Sequence, residues 1–166
     1  MQLKTPKDLA IKARMLGKKT VSYSQFSRYK NCPKSWKLAY IDKETSFDPS
    51  IFLIFGTAFH ETMQTYLDTM YKESIVAAEK LDVNNILLTS MRTEYAKVVA
   101  ECGEDFSDPK QLAEFYQDGV EIMSWFKKNR GAYFAKKNTE LVGIEMPILH
   151  TTESNENVML MGFLDI

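Results

Sequence analysis

The stretch Val158-Met159-Leu160-Met161-Gly162-Phe163-Leu164-Asp165-Ile166 decides how the fold is interpreted, because it reads as an apolar strand that carries a single carboxylate at its end. Residues 140–149 alternate and are rich in aliphatic side chains, and residues 151–157 are a polar turn. The two apolar segments therefore predict an antiparallel hairpin. Two strands alone make a poor sheet, so we expect further strands from a missing C-terminal segment or from a second chain.

Helical periodicity dominates the sequence before this hairpin. A short helix is predicted at residues 8–16, followed by a linker at residues 18–20 and a helix with Ser24 as its N-cap. Pro33 ends that helix and suits the first turn of the next one. The longer predicted helices are residues 51–72, 83–101 and, with Asp108 as N-cap, 109–129.

The predicted fold class is therefore α/β (α+β), with helices first and the start of a sheet last. Residues 1–20 are expected to be a basic N-terminal helix or arm. Residues 21–137 are expected to be the helical part of the main domain, and residues 139–166 its β-hairpin.

Composition excludes several classes of protein. A chain of 166 residues that is 45% hydrophobic can bury the core of one domain. It has no apolar run near the ~20 residues that span a bilayer, and no signal-peptide pattern opens it. The two cysteines, Cys32 and Cys102, do not form a disulfide framework. We therefore expect no membrane partner and a cytoplasmic location.

Charge is distributed unevenly. Residues 1–43 hold 11 of the 21 lysines and arginines but only two acids, which leaves +9 there and −10 in the rest of the chain. A basic segment of this kind favours binding to phosphate groups, although a solvated helical face gives the same pattern. The candidate nucleic-acid contacts are Ser24, Gln25, Arg28, Tyr29, Lys30, Lys34 and Lys37.

Two carboxylates, Glu145 and Asp165, lie on the two arms of the predicted hairpin. The alternation of the strands predicts an apolar residue at both of these positions. A buried carboxylate needs a cation or a hydrogen-bond donor, and two neighbouring carboxylates suit Mg²⁺ or Mn²⁺. The alternative is that either acid lies at a sheet edge and faces water.

His60 follows Gly56 by one turn of the long predicted helix. A glycine inside a helix costs about 1 kcal/mol relative to alanine. One reason to keep it is close approach by another backbone or by a ligand, and His60 would then project into the same space. The alternative is an ordinary core or surface histidine.

Three segments together carry a family resemblance. Residues 22–33 contain a Ser-x-Ser helix start that runs into Cys-Pro, residues 55–61 contain Gly-x-x-x-His, and Glu145 precedes the Gly-x-x-Asp of residues 162–165. In this order they resemble the PD-(D/E)xK nuclease superfamily, in particular its RecB-like branch. The resemblance covers the chain from Ser22 onward and implies a mixed sheet of restriction-endonuclease-like type, incomplete in this chain.

The resemblance implies that His60, Glu145 and Asp165 are catalytic and bind one or two divalent cations, Mg²⁺ or Mn²⁺. Such a cation polarises the scissile phosphate and activates water. In the family an Asp/Glu-x-Lys motif follows, whose lysine positions or activates the water. This sequence lacks that motif, so we expect a truncated chain that is inactive alone.

The leading hypothesis is a metal-dependent DNA nuclease, bacterial or phage-encoded. It would be exonuclease-like and act on single strands or ends in recombination, repair or phage DNA metabolism. The alternatives are a non-catalytic nucleic-acid- or partner-binding module on the same fold, one half of a split nuclease, and a helical scaffold unrelated to nucleases.

Cys32 also matches an early cysteine in the iron–sulfur variants of this branch. A cluster needs several spaced cysteines, and only Cys102 remains, so a cluster is expected only in a longer protein. The favoured interpretation of Cys32 is a buried structural cysteine at a helix junction.

Overall fold

The structure, a computed structural model, describes residues 5–44, 49–103, 105–134 and 138–165. The chain divides into two compact units. Residues 1–47 and 143–166 form the sheet unit, and residues 48–142 form the helical unit.

The sheet unit contains a three-stranded open sheet. Its strands are β1 (Lys19–Ser22), β2 (Met146–Thr152) and β3 (Asn155–Leu164), in the order β1-β3-β2. β1 runs parallel to β3, and β2 runs antiparallel to it. The predicted mixed α/β class and the pairing of the two C-terminal strands are therefore confirmed.

Two parts of this sheet differ from the prediction. The sequence predicts a linker at residues 18–20, but β1 begins at Lys19 and pairs from Lys19↔Val158 to Ser22↔Met161. Four residues are too few to show alternation, so the signal is absent from the sequence. The strand predicted from residue 140 begins only at Met146, because Glu145 adopts a left-handed backbone conformation that interrupts an extended chain.

Where the sheet unit is described, it also contains three α-helices and one π-helical turn. They are α1 (Pro6–Met15), α2 (Tyr23–Asn31), α3 (Pro33–Lys37) and the π-helical turn Leu38–Asp42. α1 packs on the sheet through Leu9 and Ala13, which are one turn apart and fully buried. Thr5 and Asp8 form a reciprocal capping box at its start. The N-cap of α2 is Ser22 rather than the predicted Ser24.

The described residues of the helical unit form four helices. They are α4 (Ile51–Lys72), α5 (Ile75–Glu79), α6 (Val83–Cys102) and α7 (Pro109–Tyr133). The three long helices were predicted, and Asp108 caps α7 by accepting a hydrogen bond from the Gln111 amide at 2.7 Å. The short α5 was not predicted. Buried side chains of α4, α5, α6 and α7, among them Tyr66, Val83 and Phe126, form the core.

Candidate metal centre

Glu145 and Asp165 meet at one end of the β2–β3 ladder. The last paired residues of the ladder are Met146 and Leu164, so Glu145 and Asp165 are the next pair outward. The Glu145 amide donates to the Asp165 carbonyl oxygen at 3.3 Å. A carboxylate oxygen of Glu145 lies within 4.8 Å of one of Asp165. The two acids that the sequence singled out are therefore brought together.

The backbone of Glu145 explains how it reaches this position. Its φ is +52°, in the left-handed region that a residue with a Cβ rarely adopts. Such a conformation costs on the order of 1–3 kcal/mol, and such residues cluster at functional sites. The alternation argument for Glu145 was thus wrong, because the residue lies outside the strand. Its proximity to Asp165 comes from the kinked entry into β2.

The chemistry of this pair fits a hard divalent cation. Both side chains are exposed, so neither needs a cation to be tolerated. Two carboxylates this close repel one another, and a cation between them removes that repulsion and gains two oxygen ligands. Mg²⁺ and Mn²⁺ prefer this ligand type. Glu145 and Asp165 would each supply one or more oxygens.

His60 belongs to the helical unit, where it lies on α4 and is half-buried. Its Nε2 is hydrogen-bonded to the side-chain amide of Gln64, one turn later on the helix. This contact holds the orientation of the ring, while the tautomer decides which ring nitrogen carries the proton. The role of His60 as a further cation ligand stays a prediction.

Gly56 occupies an exposed position on α4, one turn before His60. A Cβ built on Gly56 would meet no heavy atom within 4 Å among the described residues. The described residues therefore give no packing reason for this glycine. Close approach by a ligand stays a prediction.

The predicted nucleic-acid contacts lie on α2 and α3 of the sheet unit. All of them are exposed except Gln25, which is half-buried. Residues 23–37 hold four basic side chains and no acid. Lys37 is partly neutralised by Asp42, at 3.6 Å. This surface is therefore positively charged.

Sequence reasoning missed three residues of this same surface. Tyr23, Ser27 and Asn31 line an open hollow on it together with Ser24 and Arg28. Their spacing of four residues is the signal that could have identified them, because it places them on one side of α2.

Cys32 is exposed, so the expectation of a buried cysteine is wrong, although it does lie at a helix junction. Its Sγ accepts a hydrogen bond from the Ser35 amide at 3.4 Å and so caps α3. This contact gives Cys32 a local structural role. Cys102 ends α6 in the helical unit and is half-buried.

In the described part of the chain, no helix has the length and apolar character needed to cross a bilayer.

Comparisons with known proteins give one match. Neither a curated protein nor a solved structure matches the chain. Residues 20–166 match the family model of the PD-(D/E)XK nuclease superfamily, which covers all of the helical unit and the sheet unit from residue 20 onward. The chain belongs to the PD-(D/E)XK nuclease superfamily.

Proposed function

We propose that this chain is part of a divalent-cation-dependent DNA nuclease of the RecB-like branch. Within a superfamily of nucleases, the observation that carries the proposal is the Glu145–Asp165 carboxylate pair at the end of the β2–β3 ladder. The reaction is hydrolysis of phosphodiester bonds, exonuclease-like, on single strands or ends. The biological setting would be recombination, repair or phage DNA metabolism in a bacterial cytoplasm.

In this proposal Glu145 and Asp165 hold Mg²⁺ or Mn²⁺, and His60 is the further ligand that the family resemblance implies. A cation held by these residues would supply Lewis-acid chemistry, polarising the scissile phosphate and activating a water molecule. The kinked backbone at Glu145 fixes one carboxylate, and the hydrogen bond from its amide to the Asp165 carbonyl ties the two residues together. The basic surface of α2 and α3 attracts the DNA backbone.

Full hydrolytic activity needs more groups than these. The superfamily pattern places an Asp/Glu-x-Lys motif after the aspartate, and its lysine would offset charge that develops on the phosphate. Cation binding by the carboxylates of Glu145 and Asp165 can be tested on this chain by itself.

Titration calorimetry with Mn²⁺ tests the site directly. Asp165→Asn and Glu145→Gln are each expected to weaken Mn²⁺ binding by about tenfold or more, because each removes one charged ligand. Glu153→Gln is the matched control, since Glu153 is an exposed acid in the turn of the same hairpin. Unchanged Mn²⁺ affinity in both site variants would overturn the proposal.

A non-catalytic nucleic-acid-binding module is the second candidate, and the acid-free basic surface of α2 and α3 favours it. That function predicts DNA binding without Mn²⁺ binding at Glu145 and Asp165. A measurement of both properties on the same preparation separates the two candidates.

A further inference from the structure

Helix α2 exposes three aromatic side chains. Tyr23 is 80% exposed, Phe26 is 56% exposed and Tyr29 is 53% exposed, within a helix of nine residues. Burial of a large aromatic side chain normally stabilises a fold more than burial of most other side chains. Grouped exposed apolar side chains mark surfaces that bind something.

Positive charge is concentrated on the same helix and its neighbour α3. Among the described residues, no ion pair involves Arg28, Lys30 or Lys34. Residues 23–37 contain no acid, so no carboxylate of α2 or α3 offsets these charges. Charge complementarity therefore points to an anionic occupant.

An open hollow of about 460 Å³ lies on this surface. Its volume falls within the range of small-ligand clefts, about 300–1,000 Å³. Its lining includes three serine hydroxyls, from Ser24, Ser27 and Ser35, together with Arg28 and Asn31. Hydroxyl, amide and guanidinium groups are the donors that proteins use to bind phosphodiester oxygens. Among the described residues that line the hollow, none has a carboxylate that would repel a phosphate.

Tyr23 also lines this hollow. Tyr23 and Ser27 are four residues apart, so the aromatic ring and the hydroxyl share one side of α2. A nucleotide whose phosphate contacts Ser27 and Arg28 would have its base within reach of Tyr23. The base of a duplex is already stacked on its neighbours, whereas an unpaired base can stack on an aromatic ring.

We infer that this surface of α2 and α3 binds single-stranded nucleic acid, with Ser24, Ser27 and Arg28 on a phosphodiester group and Tyr23 stacked on an unpaired base. The inference rests on the proposed function for its class of ligand, nucleic acid. It adds the residues that select single strands over duplex. Phe26 and Tyr29 offer further rings next to Tyr23 on the same helix.

Fluorescence anisotropy with a labelled oligothymidylate and a labelled duplex of equal length tests the inference, with EDTA present so that no cation contributes. The wild type is expected to bind the single strand more tightly. Tyr23→Ala is expected to weaken single-strand binding by about tenfold and leave duplex binding unchanged, because one stacked base is lost. Tyr23→Phe keeps the ring and is expected to retain the affinity.

Two further variants separate stacking from charge. Arg28→Gln is expected to weaken both ligands and to reduce the salt dependence of binding by about one phosphate contact. Tyr133→Ala is the matched control, since Tyr133 is an exposed tyrosine, 61% accessible, in the helical unit. Circular dichroism checks that each variant is folded.

Equal affinity of the wild type for single strand and duplex, or full single-strand affinity in Tyr23→Ala, would overturn the inference. So would binding to anionic phosphatidylserine vesicles in preference to the oligonucleotide, which would assign the surface to membranes. If the chain does not bind Mn²⁺ at Glu145 and Asp165 but shows Tyr23-dependent binding of the single strand, only the proposed catalysis is refuted. Intact Mn²⁺ binding without single-strand preference would refute only this inference.

Discussion

At the scale of the residue, substitution of Gly56 tests whether this glycine is required by packing within the fold or by the binding of a ligand. Outside its own stretch of helix, an added Cβ at Gly56 meets no heavy atom of the described residues within 4 Å, and glycine costs a helix about 1 kcal/mol relative to alanine. Gly56→Ala is therefore expected to raise the free energy of unfolding by about 0.5–1 kcal/mol. Urea denaturation followed by circular dichroism measures this change.

Gly119→Ala is the control, because it makes the same substitution in α7. There the added Cβ would lie 2.6 Å from Leu87 Cδ2 and 3.0 Å from Phe55 Cε2, so it must displace core side chains. It is expected to lower stability by about 1–3 kcal/mol. Equal effects of the two substitutions would contradict this account of the helix surfaces. If Gly56→Ala is more stable but binds DNA less well, the open space at Gly56 is used by the ligand.

At the scale of the element, the entry into β2 shows what sequence patterns reveal and what they miss. The sequence predicted that the acids at 145 and 165 would lie on paired arms, and the structure pairs them. It placed Glu145 inside a strand because residues 140–149 alternate. Alternation carries no information on the sign of φ, and Glu145 takes a φ of +52° that only the surrounding fold imposes.

Two substitutions of Glu145 are therefore expected to have different effects on the free energy of unfolding. Glycine adopts positive φ without strain, so Glu145→Gly is expected to leave the free energy of unfolding unchanged or raise it by up to about 1 kcal/mol. A β-branched residue strongly disfavours this conformation, so Glu145→Val is expected to lower it by about 1–2 kcal/mol. Both variants lose the carboxylate and should lose Mn²⁺ affinity alike.

Urea denaturation and Mn²⁺ titration of the same two proteins check these outcomes. A destabilisation by Glu145→Gly as large as that by Glu145→Val would show that the left-handed backbone at this position is not strained. Retained Mn²⁺ binding in both would remove Glu145 from the metal centre while leaving the backbone argument intact.

At the scale of the whole molecule, long elements were predictable and short ones were not. The 22-residue α4 and the 25-residue α7 repeat their apolar positions over many turns, so their periods are evident in the sequence. β1 has four residues and α5 has five, less than is needed to define a period. β1 also pairs in parallel with a strand far along the sequence, which no local pattern reports.

In the helical unit, the carboxylate of Glu79 on α5 links three helices. The Tyr66 hydroxyl on α4 donates to Glu79 at 2.8 Å, and Arg130 on α7 lies 2.7 Å from the same carboxylate. Lys127 lies 3.8 Å from Glu79 and 5.4 Å from the centre of the Tyr66 ring. Burial, and then the hydrogen bond to Glu79, raise the pKa of Tyr66 from 10.0 to about 12.

This raised pKa predicts how stability depends on alkaline pH. The folded chain holds the Tyr66 proton more tightly than the unfolded chain does, so the contribution is fully present below pH 10.0 and is lost as the pH rises toward about 12. Denaturation midpoints measured across this range should fall more steeply in the wild type than in Tyr66→Phe. Tyr133→Phe, at an exposed tyrosine, should retain the wild-type slope. An identical slope in Tyr66→Phe and the wild type would mean that the hydroxyl has the same proton affinity in both states, and that Glu79 is held by Arg130 and Lys127 alone.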